Sequence, residues 1–218
     1  MKMFENILFD LDGTLSDPSV GITTSVAYAL DKYGIKVEDK RKLTCFIGPP
    51  LHESFQVYYG FSVEESFKAV EKFREYFSVK GLFENEVFPG VPEMLGKLKE
   101  NGAKLVIATS KPEVFAKRII EHFSLTGYFD AVCGANLDGS RTKKDEVIRY
   151  ALETAGINDL SKTIMIGDRK HDIEGAHKVG IKAIGVTYGF GSREELTECS
   201  ADYIAEDTGD ILRLLGVS

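Results

Sequence analysis

The apolar run Ile7-Leu8-Phe9, followed at once by Asp10-Leu11-Asp12-Gly13-Thr14-Leu15, constrains this chain more than any other stretch. A short run of large apolar residues that stops at polar and glycine residues reads as a buried strand. Two acids, a glycine and a hydroxyl at the end of such a strand are badly placed for stability. In an open α/β sheet they stand where ligands bind, outside the carboxyl ends of the strands.

The remainder of the chain supplies partners for that strand. From Phe88 onward, strand and helix patterns alternate. Strands are expected at 105–108, 131–133, 163–166, 183–186 and near Tyr203-Ile204. Helices are expected from Pro89-Gly90-Val91-Pro92 through Leu98, from Pro112 to about Phe123, and after the polar loop 138–144, with Val147, Ile148, Ala151 and Leu152 inward. Others are expected from about His171 to Val179, near Arg193, and at the end of the chain. Strands separated by helices imply βαβ units and a parallel sheet covered on both faces, an α/β doubly wound, Rossmann-like core.

The segment after Leu15 has a different pattern. Asp17-Pro18 supplies a helix N-cap followed by proline, and Val20, Ala27 and Leu30 recur at helical spacing until Gly34. A second helix is expected at 51–59. A third runs from 62 to about 80, opened by a Ser62/Glu65 capping box and carrying the stripe Val63, Phe67, Val70, Phe73 and Phe77. Twelve of the 23 aromatic residues fall between Ser16 and Phe83, and there is no tryptophan, so this insertion is expected to be a small helical bundle with its own aromatic core. The expected organisation is a core of residues 1–15 and 84–218 with a helical cap at 16–83. Both joints lie near the acids, so the cap can close over them and exclude water. The turn Phe46-Ile47-Gly48-Pro49-Pro50 is either an ordinary interhelix turn or a substrate-specificity loop.

A net charge of −7 argues against a nucleic-acid polymer or an anionic membrane as partner, and no apolar run approaches membrane-spanning length. The start Met1-Lys2-Met3-Phe4-Glu5-Asn6 leads directly into the first strand and leaves no room for a signal peptide. Cys45, Cys133 and Cys199 form no CxxC pattern and are expected as buried free thiols, fitting a reducing cytoplasm.

The polar residues that end strands or open the following helices are Asp10, Asp12, Thr109, Ser110, Lys144, Asp168 and Asp172. Carboxylates crowded on one sheet edge repel one another, and their pKa values rise. A bound divalent cation removes that conflict, and an oxygen-only donor set favours Mg²⁺. With a hydroxyl and a lysine beside them, these groups suit phosphoryl transfer through an aspartyl-phosphate.

Taken together, Asp10-Leu11-Asp12-Gly13-Thr14, then Thr109-Ser110, then a lysine, then Gly167-Asp168-Arg169-Lys170-His171-Asp172 resemble the haloacid dehalogenase superfamily over the whole chain. The resemblance is greatest to its phosphoglycolate phosphatase branch, including nucleotidase-like members, and the helical insertion resembles the family's first class of cap. It implies that Asp10 attacks phosphorus and that Asp12 acts as acid and then base, its backbone carbonyl also holding Mg²⁺. It implies that Thr109, the Ser110 amide and Gly13 meet the phosphoryl group and that a lysine neutralises charge there. Asp10, Asp168 and Asp172 complete the metal set. Two departures stand out: Ser110 replaces a common asparagine, and the lysine is either Lys144 or Lys143, with helical phasing favouring Lys144.

The implied activity is a Mg²⁺-dependent phosphatase acting on small phosphorylated metabolites, phosphoglycolate first. Alternatives on the same scaffold are a 5′-nucleotidase, a pyrophosphatase and a phosphosugar mutase. An EF-hand is excluded because Leu15 and Gly21 stand where that loop needs glycine and glutamate. A phospho-aspartate receiver would carry its acids in another chain order. Gly189-Phe190-Gly191 lacks the last glycine of a dinucleotide fingerprint and reads as a turn near the metal site. His52, His122, His171 and His177 have no ligand spacing.

Overall fold

The structure, a computed structural model, describes residues 4–138 and 140–217; Met1-Lys2-Met3 and Gly139 of the polar loop lie outside the described residues. The chain divides into two compact units, one running to Ser16 and again from Val87, the other Asp17–Glu86.

In the first unit β1 (Asn6–Phe9) leads into a tight loop. Short strands β2 (Ser16–Asp17) and β3 (Glu86–Val87) form a two-stranded sheet where the chain passes between the units. The main sheet adds β4 (Lys104–Pro112), β5 (Ala131–Ala135), β6 (Thr163–Gly167), β7 (Lys182–Val186) and β8 (Tyr203–Ala205) in the order β5-β4-β1-β6-β7-β8. All its pairings are parallel, with Phe9 opposite Ile107 on one side and Ile166 on the other. Ile7, Leu8 and Phe9 are all buried, so side chains on both faces of β1 are covered. That is why the strand reads as an unbroken apolar run rather than an alternating one.

The second unit contains α1 (Ser19–Asp31), α2 (Leu51–Tyr59) and α3 (Val63–Tyr76), with a 3₁₀ turn at Lys40–Phe46 and a π turn at Phe77–Gly81. Its aromatic core is present: Phe46 packs edge-on against Phe55 at 5.0 Å, and Phe55 stacks on Phe61 at 5.8 Å. The Ser62/Glu65 capping box forms. Three expected inward positions do not point inward. Val20, Val63 and Phe67 are exposed, and Phe67 stacks on the His52 ring instead. The buried face of α1 is Ile22, Val26, Ala29 and Leu30, and that of α3 is Ala69, Val70 and Phe73. Val20 and Val63 lie in the first turns of their helices and Phe67 in the second turn of α3, so the stripe is buried only farther along each helix. Pro18 rather than Asp17 occupies the N-cap of α1, so the helix starts one residue later than expected, while the Asp17 carboxylate accepts the Ser19 N–H at 2.8 Å.

The helices of the first unit are α4 (Val91–Glu100), α5 (Glu113–His122), α6 (Lys144–Thr154), α7 (Lys170–Val179), α8 (Arg193–Glu198) and α9 (Thr208–Leu214). Leu8, Val106 and Met165 of three adjacent strands share a cluster with Val147 and Ile148 of α6 and Ile173 of α7. Truncating a fully buried leucine such as Leu8 to alanine costs about 2–5 kcal/mol. This packing places the first turns of α6 and α7 beside the carboxyl ends of β1, β4 and β6. Cys133 is buried as expected, but Cys45 and Cys199 are only half-buried; all three are free thiols. No helix among the described residues is long and apolar enough to cross a membrane.

Candidate active site

Because β4 and β6 flank β1, Asp10, Thr109 and Asp168 leave adjacent strand ends. Asp10 is tied to the sheet by its own N–H, which donates to Ile166 O at 2.9 Å. The chain then turns sharply: Leu15 and Ser16 both donate to Leu11 O, and Gly13 donates to Ser16 O. Gly13 sits at φ +84°, and a Cβ there would lie 2.2 Å from Asp168 Oδ2. Only glycine permits both that backbone conformation and that approach.

Asp10, Asp168 and Asp172 are buried, and each offers a carboxylate oxygen within 4.8 Å of the others. Asp168 is fully buried; its Oδ2 accepts the Phe190 N–H at 2.7 Å, while its Oδ1 has no hydrogen-bond partner. The glycine turn at 189–191 thus orients this acid. Asp172, in the first turn of α7, accepts the Arg169 N–H at 3.0 Å. Burial, and then the charges of Asp172 and Asp10, push the Asp168 carboxyl well above the usual carboxylate range. Burial, opposed by Lys144 and reinforced by Asp10, pushes Asp172 up to about 6. A buried, oxygen-only trio with an orphaned carboxylate oxygen fits a hard divalent cation.

Lys144 opens α6 with its side chain buried. Its Nζ lies 2.8 Å from Asp10 Oδ1, 2.7 Å from Asp172 Oδ1, and donates to Ala108 O at 3.0 Å. Burial disfavours its charge, but the two carboxylates hold the ammonium above the ordinary lysine range. Its stem runs past Gly175 of α7, where a Cβ would come within 2.8 Å of Lys144 Cγ. Lys143, the helix N-cap residue, is exposed.

Asp12 stands apart from the trio. Its Oδ2 is 2.6 Å from Lys111 Nζ in a buried ion pair. Burial pushes its carboxyl upward, and Lys111 opposes the shift. Thr109 is buried at the end of the regular part of β4, where its hydroxyl accepts the Lys111 N–H at 3.2 Å. Neither Thr109 nor Ser110 caps the next helix: Pro112 holds the N-cap of α5 without a side-chain bond. Ser110 is half-buried beside Thr109. Lys111 is not among the site residues expected from the sequence; its place two residues after Thr109, still within the strand, is the one signal that points to it. His171 is half-buried, and burial together with Lys170 and Arg169 holds its imidazole below the ordinary range.

These groups occupy the edge of a sheet whose relatives are known. Residues 7–186 match the haloacid dehalogenase-like hydrolase family model, so the chain belongs to that family. It is 47% identical over 212 residues to a 5′-nucleotidase of Pseudomonas aeruginosa, covering 97% of this chain and 96% of that one. It is 26% identical over 220 residues to a phosphoglycolate phosphatase of Vibrio parahaemolyticus, covering 97% and 96%. A crystal structure of a predicted phosphatase from Clostridium acetobutylicum superposes with a TM-score of 0.93 at 49% identity, covering 97% of this chain and 98% of that one.

Proposed function

We propose that this phosphatase of the haloacid dehalogenase-like family hydrolyses small phosphomonoesters in two steps, through an aspartyl-phosphate on Asp10. The observation that carries the reading is the convergence of Asp10, Asp12, Thr109, Lys144, Asp168 and Asp172 on three adjacent strand ends and the two helices behind them.

In the first step an Asp10 oxygen bonds to phosphorus while the ester oxygen leaves, taking a proton from Asp12. Burial favours the protonated form of Asp12. In the second step Asp12 takes a proton from the attacking water, the acyl-phosphate P–O bond breaks, and inorganic phosphate and the Asp10 carboxylate are regenerated. The Thr109 hydroxyl and the Ser110 amide hold the phosphoryl oxygens, and Gly13, beside them, lets Asp168 approach the loop without a Cβ in its way. Lys144 offsets the charge that builds on Asp10 and the phosphoryl group. A Mg²⁺ ion held by Asp10, Asp168, Asp172 and the Asp12 carbonyl would neutralise phosphoryl charge.

Residues 16–83 serve, in this reading, as the cap that selects the substrate. The 47% identity to a 5′-nucleotidase, against 26% to a phosphoglycolate phosphatase, makes nucleoside 5′-monophosphates the class to test before phosphoglycolate, a reversal of the order expected from motifs alone. The three free thiols support a cytoplasmic location.

Phosphate release from nucleotides, phosphoglycolate, pyrophosphate and sugar phosphates, with and without Mg²⁺, tests the substrate class. Asp10→Asn should abolish release and leave the far-ultraviolet circular dichroism unchanged. Undiminished turnover in that variant would refute the assignment.

A further inference from the structure

We propose that Lys111 is a positioning residue: through its ion pair it fixes the direction of the Asp12 carboxylate, and so governs proton delivery to the leaving oxygen. This inference rests on the acid/base reading of Asp12 given above.

Three observations on Lys111 lead here. First, its ammonium lies 2.6 Å from Asp12 Oδ2, and the side chains are only 5% and 13% exposed. The lysine is on β4 and the aspartate in the loop after β1, 99 residues apart in the chain. Burying such a pair costs desolvation that its attraction does little more than offset, so stability is a weak reason for having it. Second, the register of β4 against β5 shifts between Thr109 and Pro112. A bulge of this kind re-aims a side chain, and the Thr109 hydroxyl holds the bulged backbone by accepting the Lys111 N–H. Third, the carbonyl of Lys111 packs against Gly134 of β5, where a Cβ would lie only 2.5 Å from it. The residue is held at its backbone as well as at its ammonium.

The other Asp12 oxygen, Oδ1, is buried and has no hydrogen-bond partner. An Asp12 gripped at Oδ2 therefore presents Oδ1 as the oxygen available for proton exchange. Lys111 donates no proton in the reaction and needs no contact with the ester; it acts by restricting Asp12. Lys144 cannot substitute for it, because that ammonium is engaged by Asp10 and Asp172.

The test is the dependence of kcat/KM on leaving group for the full chain in saturating Mg²⁺. The substrates run from p-nitrophenyl phosphate, whose leaving group departs without protonation, to alkyl phosphates that need a proton. General acid catalysis is worth about 10²–10⁴-fold where it is required. Lys111→Met should therefore lower kcat/KM for alkyl phosphates at least about 10-fold more than for p-nitrophenyl phosphate. Lys111→Arg, which can keep the pair, should recover most of that difference. Asp12→Asn, measured alongside, should show the same selective loss, and adding Lys111→Met to it should steepen the dependence no further.

A selective loss in Asp12→Asn with a uniform loss in Lys111→Met overturns the positioning role alone. The absence of any selective loss in Asp12→Asn overturns the acid assignment and the role of Lys111 with it. If Lys111→Met fails to fold, Lys111→Arg and Lys111→Gln give the same comparison. Equal losses on both substrate types in the folded variants also overturn the proposal.

Discussion

The Lys144 ammonium lies 2.8 Å from Asp10 Oδ1 with its stem buried against α7. Together with the 2.7 Å contact to Asp172, it offsets much of the charge that would otherwise crowd the sheet edge.

Replacing it should be costly in two ways. Removing one partner of a buried pair leaves uncompensated charge, at about 3–5 kcal/mol. Lys144→Met in chelator should lose stability on that scale in urea unfolding, and the metal-loaded variant should lose at least about 100-fold in turnover. Lys143→Met, at an exposed position, should stay within about 0.5 kcal/mol of the parent.

The crowded carboxylates also set a pH dependence. Asp168 and Asp172 bind protons more tightly in the folded than in the unfolded chain, Asp172 to about 6. Their contribution to stability is therefore complete below the unfolded range near pH 4 and is lost as pH rises through the folded values, at up to about 1.4 kcal/mol per pH unit for each group. Asp168→Asn keeps an acceptor for the Phe190 N–H and removes one titrating charge. In chelator it should be more stable than the parent at pH 8, with the gap closing toward pH 4. Parallel urea midpoints at both pH values would sink this account.

Cation binding should reverse the penalty. Ligands that bind only the folded state stabilise it by RT ln(1 + [L]/Kd), about 2.7 kcal/mol at 100 times Kd. Mg²⁺ should therefore raise the Tm of the parent, more at pH 8 than at pH 5, since the carboxylates must be ionised to bind it. Asp168→Asn should lose most of that shift. Calorimetric scans with and without the ion check both statements, and an equal shift in the variant contradicts them.

Gly13→Ala is a test of shape. The new Cβ would need the same volume as Asp168 Oδ2, at a left-handed φ of +84°. A non-glycine residue held in that region costs about 1–3 kcal/mol. Displacement of Asp168 should also weaken the Mg²⁺-induced Tm shift and lower turnover together. A variant with full activity and an unchanged shift would show that the loop can move aside.

Much of this is legible in the sequence. Apolar runs that stop at Asp10, Thr109 and Gly167 marked the strands, and helical phasing placed Val147, Ile148, Ala151 and Leu152 inward, where they are buried. The structure differs from the sequence pattern where local periodicity and tertiary environment part. Val20, Val63 and Phe67 fit a helical stripe, but all three are exposed, because periodicity alone does not tell how far along a helix the core extends. Lys111 stands two residues past Thr109 on the same strand, but a single lysine there reads equally well as a solvated strand end.

What the sequence determined by itself was the set of chemical groups at the strand ends. Apolar residues cannot stay in water, and the polar residues that interrupt them must therefore lie at the margins of the sheet. Which oxygen meets which ammonium was decided by tertiary structure alone. Lys144 reaches Asp10 because α6 passes close to Gly175 of α7, and Lys111 reaches Asp12 across the bulged end of β4. Both outcomes depend on neighbours distant in the chain, and the energy of a buried charge depends on that surrounding rather than on the residue that carries it.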